Sequence, residues 1–156
     1  MVGYALRWQQ PAFVGDGNSR FEERFAHGAF ARSIAAGRIN LCSNHDRGAI
    51  IARQLDGDLL LVEDDNGLRI DALANHTDAG DEAIHDARCR ARAGLSVGFE
   101  RPQSEWLDTA NGRLRLITDC DLIEISIVRD PAYRSSELFA GKLRIEAFEA
   151  RIAAIG

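Results

Sequence analysis

The chain predicts a mainly β fold with helices, of the α+β class, on three observations. Apolar residues alternate or run short over most of its length, turn signals recur between those runs, and only three segments carry a helical period. The turn signals are Gly15-Asp16-Gly17-Asn18, Asp56-Gly57-Asp58, Asp64-Asp65-Asn66-Gly67 and Asn111-Gly112. So many strands in 156 residues, 46% of them apolar, predict one domain over 1–156: an antiparallel barrel, closed or nearly closed, around a sizeable core.

Strands are expected near 4–14, 20–26, 39–44, 49–55, 58–63, 67–74, 94–101, 104–109, 113–119 and 121–128. Asn66-Gly67 and Asn111-Gly112 are the strongest hairpin signals, because a two-residue turn of the favoured hand needs positive φ at both centres. A first, short helix is expected over 29–36, where Phe30 and Ile34 share a face and Gly37 stops it. A second is expected over 77–93. Asp78, Asp81 and Glu82 lie in its first turns and Arg88, Arg90 and Arg92 in its last, complementing the helix dipole at both ends. The last segment, 136–155, repeats apolar residues at Ile145, Phe148, Ile152 and Ile155, an amphipathic helix to pack on the barrel or to mediate a homodimer.

Charge and cysteine usage narrow the function classes. A net charge of -5 with scattered arginines gives no footprint for nucleic acid or an anionic membrane. Cys42, Cys89 and Cys120 are an odd number without CxxC spacing, so neither a disulfide framework nor a zinc knuckle is indicated, and a reducing compartment fits. The N-terminus lacks a basic region followed by an apolar run, and no stretch reaches membrane-spanning length, as expected of a soluble cytoplasmic protein. No cofactor is implied. Cys42 and His45 have metal-like spacing, yet no second pair completes a site.

Three residues could carry chemistry, each with a plainer alternative. Ser96, in Gly94-Leu95-Ser96-Val97-Gly98-Phe99, points away from the apolar face of its strand, as solvent-facing strand serines also do. Its flanking glycines remove side chains that would crowd an approaching substrate backbone. The letters match the Gly-x-Ser-x-Gly nucleophile elbow, but the context is continuous strand rather than a turn into a helix. His45, where the strand ending Leu41-Cys42-Ser43-Asn44 gives way to a turn, is a candidate general base or a surface turn histidine. Asn44 and Asp46 could equally form the turn. Glu124 alternates with Ile123, Ile125 and Ile127; it is either a buried carboxylate that needs a cationic partner or an edge-strand charge that maintains solubility.

Taken together, His27-Gly28-Ala29-Phe30, Asn44-His45-Asp46, the Ser96 strand, and Glu124-Ile125-Ser126-Ile127-Val128 followed by Pro131-Ala132 resemble the tailed-bacteriophage prohead protease family. The resemblance covers most of the chain. It implies a fold similar to the herpesvirus assembly protease, a mainly antiparallel barrel surrounded by helices. It also implies a serine endopeptidase of capsid maturation in a virus, prophage or gene-transfer particle. Such an enzyme acts in the host cytoplasm inside the immature capsid, on the major capsid protein or scaffold protein, and commonly trims itself. Carried onto this chain, the pattern makes Ser96 the nucleophile and His45 the general base. The herpesvirus-like arrangement uses a second histidine after the serine, and no histidine follows His85 here. The third member is therefore acidic, with Glu124 the candidate, or an earlier histidine, or absent. A catalytically inactive scaffold or shell-assembly protein with the same fold is the alternative from another class.

Overall fold

A computed structural model describes residues 1–8, 10–17, 20–89, 94–110, 112–129 and 136–139. Two sheets pack on a shared core. The first contains β1 (Val2–Arg7), β6 (Leu59–Glu63), β7 (Gly67–Ala72) and β10 (Glu137–Phe139), in the antiparallel order β10-β1-β7-β6. The second runs through β2 (Ala12–Val14), β3 (Phe21–Phe25), β9 (Gly112–Val128), β4 (Asn40–Ser43) and β5 (Asp46–Arg53), with β8 (Gly94–Thr109) along the other edge of β9. Helix α1 (Ala31–Ala35) joins β3 to β4, and α2 (Asp78–Cys89) precedes β8.

The mainly β, α+β expectation holds, but the sheets do not close into a barrel. Nor is the pairing wholly antiparallel, because β9 is long enough for two short strands to dock end to end on one edge. Phe25 of β3 pairs with Ile117, and further along β4 sets Asn40 against Glu124, both in parallel. Two pairs of expected strands are single elements, β8 and β9, bent by register shifts at Gly98/Phe99 and around Gln103 instead of being broken. The expected strand 4–14 is in fact split. Pro11 offers no donor to a ladder, and the chain leaves one sheet at Arg7 to enter the other at Ala12.

The turn at 64–67 joins β6 and β7 as expected, though not by positive φ at Asn66 and Gly67. Asp64 Oδ1 accepts from both of their backbone N–H groups, at 2.8 and 3.1 Å, and Asp64 N donates to the Gly67 carbonyl. Gly67 is glycine for another reason: a Cβ there would run into the Leu6 carbonyl oxygen and lie 3.0 Å from Arg7 Cα on β1. At the start of α2, Thr77 Oγ1 accepts from Gly80 N at 3.2 Å, with Asp78 and Asp81 in the first turn and Arg88 in the last. The expected helix over 136–155 is corrected at its beginning. Glu137–Phe139 extend the first sheet, because Leu138 buries itself beside β1 opposite Gly3. The rest of that helix, and 90–93 of the second one, lie outside the described residues.

Alternation builds the core. Ala5, Leu6, Leu68 and Ile70 from one sheet meet Phe25, Leu41, Ile51, Leu95, Ile117 and Ile125 from the other, all essentially inaccessible to solvent. Phe25 is central, with ring centroids 4.7 Å from Phe30 and 5.0 Å from Phe99. The opposite face of the β4-β9-β8 triplet is thereby left to the polar residues of the candidate site.

Candidate active site

Three adjacent strands set the site by register. Cys42 pairs with Ser126 and Ser126 with Ser96, so the three side chains lie in one row on one face. The next row holds Asn40, Glu124 and Gly98. Ser96 is 8% exposed and does not face freely into solvent.

His45 arrives from the hairpin between β4 and β5. Ser43 pairs with Asp46, leaving Asn44 and His45 as the two central residues, with φ of 49° and 60°. Positive φ at both centres is what a hairpin turn of the favoured hand demands. Asn and His are among the side chains that tolerate it best, although the geometry still costs strain. Asn44 N donates to the Ile127 carbonyl at 2.9 Å, pinning the turn against β9. Asp46 Oδ1 accepts from Gly48 N at 2.8 Å, at the start of β5 just beyond the turn.

The turn directs the imidazole over β9. His45 Nδ1 lies 2.7 Å from Glu124 Oε1; the histidine side chain is 49% exposed and the glutamate side chain 6%. An ionised carboxylate only accepts, so the proton of this bond sits on Nδ1 and the neutral ring presents Nε2 with a free lone pair. Such an imidazole can take a proton from a hydroxyl. Glu124 is therefore no edge charge: it lies on the central strand of its sheet with a cation-capable partner.

Two further residues complete the site, of which Ser126 is absent from the candidates that the sequence offers. Ser126, with no exposed surface, donates to Glu124 Oε2 at 2.5 Å and accepts from the His45 backbone N–H at 3.1 Å. Its place two residues after Glu124, on the same face, was the available signal. Gly98 clears space for Glu124, since a Cβ there would lie 3.0 Å from both Cγ and Cδ and closer still to Oε1.

Arg47 reaches Glu100 at 3.9 Å. Burial pushes the Cys42 thiol up to about 11, helped by Glu124 and Asp46 and opposed by Arg47, so this cysteine stays a neutral neighbour. Among the described residues, no three His, Cys, Asp or Glu side chains gather as metal ligands do.

The His27-Gly28-Ala29-Phe30 segment has a structural task. Glu63 Oε1 accepts from Gly28 N at 3.2 Å and Phe30 N at 3.1 Å, while Phe30 packs on Phe25 and Trp8. This corner carries the chain from β3 into α1 and so decides where β4, and with it His45, meets β9. Nothing in the spacing of the sequence pointed to Glu63.

Among described residues, no helix is long and apolar enough to cross a membrane. No curated protein and no solved structure matches the chain. The sequence profile described as caudovirus prohead serine protease does match, over residues 1–151. This match over nearly the whole length leads to one assignment: the chain belongs to the caudovirus prohead serine protease family, the serine peptidases of bacteriophage capsid maturation.

Proposed function

We propose that this protein is a serine endopeptidase that cleaves the major capsid protein or its scaffold inside the immature shell, and trims itself, with Ser96 as nucleophile, His45 as general base and Glu124 as the group that orients His45. The observation that carries the reading is the 2.7 Å bond from His45 Nδ1 to a nearly buried carboxylate, on the sheet face that Ser96 shares. In this mechanism His45 Nε2 takes the Ser96 proton as Oγ bonds to the scissile carbonyl carbon. The imidazolium, stabilised by Glu124, then protonates the amine as the C–N bond breaks. Water, deprotonated by the same nitrogen, hydrolyses the ester and returns the proton to Ser96.

The test is co-expression with the major capsid protein from the same gene neighbourhood, followed by intact-mass analysis of both chains. Shortened capsid protein is expected with the wild type, and cleavage about 10⁴-fold slower or worse with Ser96→Ala or His45→Ala. Glu124→Gln keeps part of the rate. Wild-type shortening by Ser96→Ala refutes the assignment. Unshortened protein with every variant, in shells that still assemble, assigns the chain a scaffold role.

A further inference from the structure

Ser126 is buried, polar and unused by the mechanism above, yet it touches two parts of the site at once. A hydroxyl has one proton to give. Here it goes to Glu124 Oε2, 2.5 Å away, because a carboxylate can only accept; the lone pairs of the same oxygen receive the His45 N–H at 3.1 Å. Glu124 thus has one partner for each oxygen, His45 Nδ1 on Oε1 and Ser126 on Oε2. Rotation of the carboxylate away from the imidazole would break the second bond as well as the first. The His45 backbone is held to the same atom, in a turn with positive φ at both centres. One oxygen therefore sets both the carboxylate and the peptide unit of the residue that the carboxylate orients.

We propose that Ser126 is a positioning residue of the protease, fixing the Glu124 carboxylate and the His45 turn relative to one another so that Nε2 is aimed at the nucleophile. The proposal rests on the Ser96–His45–Glu124 reading. It assigns Ser126 no contact with substrate, although Ser126 is the cross-strand neighbour of Ser96.

The experiment measures kcat and KM on a peptide spanning the capsid cleavage site found by co-expression. The variants are Ser126→Ala, Ser126→Cys, Ser96→Ala, Glu124→Ala and the Ser126→Ala/Glu124→Ala double, with thermal melts of each. Ser126→Ala lowers kcat about tenfold, the size of one hydrogen bond to a charged group, and leaves KM unchanged. Ser126→Cys, near the hydroxyl in size but a weak donor, behaves the same and serves if the alanine variant fails to fold. Against Glu124→Ala the second substitution costs well under tenfold, because with no carboxylate to position only the bond to the His45 backbone N–H is left to lose. A merely structural serine would lower kcat in both backgrounds. Wild-type kcat in a folded Ser126 variant, or a full tenfold further loss in the double, overturns the proposal while a dead Ser96→Ala keeps the underlying reading intact. Cleavage by Ser96→Ala at the wild-type rate overturns both.

Discussion

Replacing Gly98 by alanine should disable the protease through one displaced carboxylate. An alanine Cβ would stand 3.0 Å from Glu124 Cγ and Cδ and closer still to Oε1, whereas unstrained carbon contacts lie at about 3.5–4.0 Å. Gly98 sits within the β8–β9 ladder and its φ is not positive, so the alanine backbone is tolerated and the glutamate must move. A retreat of about 1 Å carries Oε1 from 2.7 Å to beyond hydrogen-bond range of His45 Nδ1. Losing a bond to a charged group costs about 1.5–3 kcal/mol, or roughly 10- to 150-fold in kcat/KM if the bond is needed in the transition state. The assay is peptide cleavage alongside urea denaturation. Gly98→Ala should lose about 10²-fold in rate and 1–3 kcal/mol of stability, an estimate from the same bond. In a Glu124→Ala background the added methyl should cost almost no stability, since the atoms it would strike are gone. Wild-type cleavage by Gly98→Ala would show that the imidazole–carboxylate bond is not required, and the reasoning would fail there.

Two more predictions concern the frame around the site. Glu63→Ala strips the Gly28 and Phe30 N–H groups of their shared acceptor and should destabilise the fold by about 1–3 kcal/mol, whereas Glu63→Gln, which keeps an acceptor oxygen, should cost less than half of that in the same melts. Burial pushes the Cys42 thiol up to about 11 and the Cys120 thiol up to about 12, above the unfolded value, so their contribution to stability is complete below about pH 9 and is lost as pH rises toward those values. Native protein at pH 8 should therefore leave both thiols unlabelled by iodoacetamide, and urea midpoints should fall between about pH 9 and 11 with a slope that shrinks in Cys42→Ala/Cys120→Ala; rapid labelling of either thiol in folded protein contradicts the burial argument.

Local rules made much of this architecture legible. The 3.6-residue period and terminal charges of 78–89 were enough for α2, and strict alternation was enough to put Leu95, Val97 and Ile125 in the core and Ser96 and Glu124 on the other face. What alternation cannot reveal is which strands are neighbours. The parallel docking of β3 and β4 along β9 depends on the length of β9 and on the α1 crossover, so the sheets were expected to close when they do not. The same ignorance hid the site's inner contacts. Gly98 and Ser126 matter only because the register sets one opposite Glu124 and the other opposite Ser96. Glu63 matters only because two backbone N–H groups more than thirty residues earlier turn toward it.

The parallel pairing of β4 with β9 also bears on when this molecule can act. His45 and Glu124 lie 79 residues apart in sequence and meet only once β9 has found β4, a long-range event of the slow-forming kind. Ser96 enters the same triplet through β8, which has no partner across the site before β9 is made. A chain emerging from the ribosome thus carries its serine and histidine well before the strand that brings them together. On the Ser96–His45–Glu124 proposal, then, the nascent chain holds no assembled triad until its last long strand is in place.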